Sequence, residues 1–103
     1  LRLRRDMFQV LGYLVLEPDI TQAGMSNAVY VALSNDEMRS AGEWIKQGLA
    51  KFPNSQDLLA LNAWYLRSTN NNHAAKIITD GVLTRNPNHL VGLVQAGILA
   101  YNE

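Results

Sequence analysis

The chain of 103 residues contains no cysteine, which excludes both a disulfide framework and a thiolate metal site. It also lacks an excess of charge of either sign. Nine basic and nine acidic residues cancel, so no overall field attracts nucleic acid or an anionic bilayer, and neither is expected as a partner. No apolar run is long enough to cross a membrane, since the densest, Met7 to Leu16, is about half the required length. No charged leader followed by an apolar segment and a small-residue cleavage site opens the sequence, and the absence of cysteine fits a cytoplasmic protein. Glycine-rich phosphate loops are missing, because the seven glycines are scattered.

The groups that could carry chemistry are sparse. His73 and His89 have no further histidine at ligand spacing and read as surface or capping residues. The close carboxylates are Asp36 with Glu37 and Glu17 with Asp19; both pairs fall at helix ends, where capping and the helix dipole account for them. No serine, histidine and aspartate stand in an activating context. The expectation is a chain that is not an enzyme and carries no cofactor or metal.

What the sequence does contain is a repeat. Laying residues 22–55 over 56–89 pairs Gln22 with Gln56, Ser34 with Ser68, Ala41 with Ala75, Leu49 with Leu83, Pro53 with Pro87 and Asn54 with Asn88. Average composition would give roughly two identities, and the offset of 34 residues is the period of a helix-turn-helix solenoid. The pairs are structurally sensible: a small Ala where helices cross closely, a core Leu, and a Pro that cannot continue the preceding helix.

The punctuation divides the chain into six helices with no period-two segment, an all-α fold. The first covers about 4–16, opens on the solvated cluster Arg2, Arg4 and Arg5, and ends at Glu17-Pro18, because a residue before proline is pushed out of the α region. The second covers about 20–34. Ser34 with Glu37 three residues later suggests a capping box starting the third, about 36–51, which stops at Lys51-Phe52-Pro53. Asn54 or Ser55 caps the fourth, about 55–69. The Asn70-Asn71-Asn72 run is a loop tolerant of left-handed conformations, the fifth helix covers about 72–85, and the sixth about 88–102.

These residues resemble the tetratricopeptide repeat family. With Gln56 as the first repeat position, the family's small residue at the eighth place falls on Ala63, its alanine at the twentieth on Ala75 and its proline at the thirty-second on Pro87. Leu59, Asn62, Leu66 and Thr79 depart from the pattern. The preceding unit supplies Met25, Ala28, Val29, Ala32, Ala41, Ile45, Gly48 and Pro53; the third supplies Leu93, Ala96, Gly97 and Ala100. The implied fold is one domain forming a right-handed superhelix, with an incomplete unit over 1–21, repeats over 22–55 and 56–89, and a half repeat over 90–103. Within the family, the stretch from Leu59 to Leu66, after Phe52-Pro53 and before an Ala-bearing helix and Asn86-Pro87, is similar to the small chaperones of bacterial type III secretion needle subunits. That resemblance implies a bacterial cytoplasmic protein holding the amphipathic C-terminal helix of a needle subunit in a concave groove, with a small helical-hairpin co-chaperone outside.

Repeat geometry itself names the side chains expected to line the groove. The first helix of each unit faces the concave side, and the fifth, ninth and twelfth positions share its stripe. The ninth are Tyr30, Trp64 and Ile98, expected to share one hollow; the fifth are Ser26, Ala60 and Val94; the twelfth are Leu33, Arg67 and Tyr101. Aromatic anchors flanked by small residues suit an apolar helix presenting every third or fourth side chain. Arg67 reads as a rim charge, and Trp44, on a second helix, as buried or convex. The first helix, with Phe8, Leu11 and Val15 among its apolar residues, has little polar face in its second half, and the sixth is nearly all apolar. Partners, a second-partner surface on the first helix, or a homo-oligomer are expected to cover them. The alternative is a tetratricopeptide segment of a larger regulator or scaffold.

Overall fold

The computed structural model describes residues 5–101, and among them there are six α-helices and no strand. Arg2 and Arg4 of the basic cluster lie outside the described residues. The helices are α1 (Arg5–Leu14), α2 (Gln22–Ser34), α3 (Met38–Lys51), α4 (Gln56–Ser68), α5 (Asn72–Arg85) and α6 (Leu90–Tyr101). They fall into two compact units, 1–53 and 54–103.

Local geometry recurs with the 34-residue offset of the sequence. Thr21 Oγ1 accepts the Gly24 N–H at 3.0 Å, Ser55 Oγ accepts that of Leu58 at 3.2 Å, and His89 Nδ1 accepts that of Gly92 at 3.1 Å. All three are side-chain caps on an otherwise orphaned first-turn donor. The turns after α2 and α4 match as well. Asp36 (φ 60°) and Asn70 (φ 67°) are left-handed. The Glu37 N–H reaches back to the Ala32 carbonyl at 2.8 Å and that of Asn71 to the Leu66 carbonyl at 2.7 Å, closing the helices with Schellman-type bonds.

This geometry corrects one sequence expectation. Ser34 is the last residue of α2, and Glu37 precedes α3 without a side-chain capping bond, so there is no capping box. The short polar side chain of Asp36 tolerates the left-handed conformation, and the turn is spent on terminating α2 rather than on starting α3.

In unit 1, α2 packs against α3 around Met25, Val29, Leu33, Ala41, Trp44 and Ile45, all buried. The α1 segment is held by Phe8, whose ring stacks on Trp44 with centroids 5.3 Å apart and planes 18° off parallel. Lys51, in the last turn of α3, donates through Nζ to the carbonyls of Pro18 and Glu17, tying the α1–α2 connection to the end of the hairpin.

In unit 2, α5 packs on α4, and α6 packs on both. Ala63 and Ala75 are fully buried with Leu99, and Leu66 and Ile78 close over them; two alanines at the crossing let the backbones approach. Thr79, which departs from the repeat pattern, is buried, and its hydroxyl donates to the Ala75 carbonyl at 2.8 Å, so that group is not stranded. Leu58 and Val82 complete the core, each contributing about 1.5–3 kcal/mol through burial. Two lateral bonds, His89 to Asp57 and Arg67 to Gln95, join α4 and α6 in the same chain order. The two helices therefore run in the same direction, with α5 returning between them.

Candidate protein-binding surface

The surface of unit 2 is built from α4 and α6. On α4, Trp64 and Arg67 lie one turn apart and are both half-buried, whereas Ala60, one turn earlier, is fully buried. Arg67 is fixed rather than splayed: its Nε–H donates at 2.9 Å to Oε1 of Gln95, itself buried on α6. That bond sets the register of the two helices and spends one donor of the guanidinium, leaving the charged head half-exposed. On α6, Ile98 is half-buried, Val94 is exposed, and Tyr101 is 89% exposed. Unit 2 thus brings Trp64, Arg67, Val94, Ile98 and Tyr101 onto two packed helices, while Ala60 serves the core beneath them.

Helix α6 carries further exposed apolar side chains. Leu90 is 75% exposed, Leu93 is exposed too, and the helix carries no Asp, Glu, Lys or Arg. Leu90, Leu93, Gly97 and Tyr101 follow one another at spacings of three or four, with Val94 four residues after Leu90, an apolar ridge interrupted by one glycine.

In unit 1, Tyr30 is half-exposed on α2 and Leu33 is buried. Of the first-helix residues, Phe8 is half-buried against Trp44, Leu11 is half-buried, and Val15 is buried in the turn after α1. A cavity of about 280 Å³ is lined by Leu11, Leu14, Glu17, Asp19, Ile20, Gly24 and Ala28. Unit 2 has a cavity of about 210 Å³ between the start of α4 and the end of α5, lined by Asn54, Gln56, Leu59, Ile78, Gly81, Val82 and Arg85. Trp44 is buried and stacked, as its place on the second helix of its unit implied.

Two features escaped the sequence. Gln95 is the one amide in an otherwise apolar helix, and that contrast is its signal in the sequence. The His89–Asp57 pair spans 32 residues and two helices, so nothing in the local sequence joins them. Among the described residues no group of three or more His, Asp or Glu is disposed to hold a metal, and no helix is long and apolar enough to cross a membrane. Family models, curated proteins and solved structures each yield no match to this chain.

Proposed function

We propose that this chain is a non-catalytic protein-binding adaptor of the tetratricopeptide kind, which grips an amphipathic helix of a partner on the α4–α6 face of unit 2. Its most specific form is a bacterial cytoplasmic chaperone for a type III secretion needle subunit, keeping an aggregation-prone subunit monomeric until export. The observation that carries the reading is the uncharged ridge of α6, with Leu90, Leu93, Val94 and Tyr101 exposed beside the half-buried Trp64 and Ile98. Exposed apolar side chains gathered along a helix mark an interaction site, a feature α6 shares with α1 and the turn after it, where Val10, Tyr13, Leu14 and Leu16 are exposed; on α6, large side chains interleaved with Ala and Gly leave room for an incoming helix. The recurrence of caps and left-handed turns at one offset supports a helix-pair repeat.

Trp64 serves as the anchor and Arg67 as a rim charge. Trp64→Ala is expected to weaken partner binding by about 2 kcal/mol, some thirtyfold, as central aromatic anchors do. The test is co-expression with candidate needle subunits, mass identification of the co-purified chain, and titration of both variants. Unchanged affinity in a folded Trp64→Ala protein would return Trp64 to a purely structural role.

A second reading draws on Leu93, exposed in α6 where its repeat counterpart Met25 is buried in α2. It supports a scaffold segment whose α6 ridge packs on a second copy or another domain. Sedimentation of the purified chain separates the two: concentration-dependent dimers abolished by Leu93→Lys favour self-association.

A further inference from the structure

We propose that His89 is an acid-sensitive cap that holds the start of α6, a property independent of the partner reading above. The ring is only 8% exposed and both nitrogens are engaged. Nδ1 lies 3.1 Å from the backbone nitrogen of Gly92, and Nε2 lies 2.6 Å from Oδ1 of Asp57 on α4. A backbone N–H can only donate, so Nδ1 must be the bare nitrogen; a carboxylate can only accept, so Nε2 must carry the hydrogen. The two constraints select the same neutral tautomer.

The imidazole stands 34 residues after Ser55, which caps α4 by the same bond to the residue three places on. A hydroxyl performs that task at any pH. An imidazole performs it only while Nδ1 is bare, and a proton arriving there places two N–H groups face to face. Protonation therefore breaks the cap on Gly92 while the Nε2 bond to Asp57 persists as an ion pair. The first turn of α6 loosens, and α6 stays tethered to α4.

The other charged side chains of α4 and α5 that line cavities or hold bonds in unit 2 do so with other partners. Arg85, in the last turn of α5, lines the cavity with Asn54 and Gln56; Lys76 and Asp80 line another against Ala96, Leu99 and Ala100, at the far end of α6; Arg67 is bonded to Gln95. Helix α6 itself contributes no charge.

The repeat supplies an internal control. The ring nitrogens are followed by NMR while amide exchange is measured for Gly92 and for Leu58, whose cap does not titrate. The neutral ring is expected as the Nε2–H tautomer. On ring protonation, Gly92 protection should fall about tenfold relative to Leu58. His89→Asn, whose amide oxygen can cap without titrating, should hold the ratio constant across the same range. A neutral Nδ1–H tautomer, or a Gly92 to Leu58 ratio that ignores ring protonation, would overturn the proposal; both are read on the unmodified chain, whether or not the variant folds.

Discussion

Helices α2 and α6 hold the same place in the repeat and meet opposite surroundings. Neither carries a charged residue. In α2, Met25, Val29 and Ala32 are buried, Met25 to 1% exposure; in α6 their counterparts Leu93, Gly97 and Ala100 are exposed, Leu93 to 47%. The difference lies in the neighbours. Helix α2 is followed by α3, which packs along it, whereas α6 packs back on α4 and α5 and keeps its other side open. A helix apolar nearly all round calls for cover, and α6 leaves Leu90, Leu93, Val94 and Tyr101 exposed. The open side of α6 is what makes unit 2 a candidate for partner binding.

Truncating equivalent side chains should expose the contrast between α2 and α6 most directly. Met25→Ala should cost about 2–5 kcal/mol by the loss of buried methylenes and the cavity left behind. Leu93→Ala should cost under about 1 kcal/mol, as an exposed residue does, and urea unfolding of both variants checks the contrast. Equal losses would mean that α6 is covered in solution.

Caps come next in size. Thr21→Ala and Ser55→Ala should each cost about 1 kcal/mol, measured by the same unfolding curves. A null effect at both would remove the local equivalence of α2 and α4.

Glycines within α6 give the smallest effect and a change of sign. A Cβ at Gly97 meets nothing within 4 Å, whereas one at Gly92 falls 3.1 Å from Leu83 Cδ2 and 3.3 Å from Val82 Cγ1. Gly97→Ala should stabilise by about 0.5–1 kcal/mol through backbone entropy, and Gly92→Ala should destabilise because two packed side chains must shift. Thermal melts of the two variants should move in opposite directions.

The helices were legible in the sequence because punctuation is local chemistry. Pro18, Pro53 and Pro87 forbid continuation, Ser55 caps its own helix, and Asn70 accepts the left-handed turn, all without tertiary help. The turn at Asp36 is not legible in the same way, because Ser34 and Glu37 have the spacing of a capping box while the competing left-handed termination leaves no comparable signature. The candidate surface was legible only as a stripe. The stripe contains Leu33 and Ala60, which the structure buries, together with Tyr30 and Val94, which it exposes. Period alone cannot divide a wide helical face between the side that meets a neighbour and the side that meets solvent. The ties from Arg67 to Gln95 and from His89 to Asp57 depend on how α6 lies along α4, which no window of sequence encodes.

The proposed docking of a partner helix against Trp64 can be read from the indole itself. Trp44→Phe leaves Trp64 as the sole tryptophan, and replaces a buried ring stacked on Phe8 with another that can stack. On titration with the co-purified partner, emission should shift to shorter wavelength and saturate with the binding isotherm as Trp64 loses its remaining contact with water. A partner that binds fully while the Trp64 emission stays where it was would contradict the account.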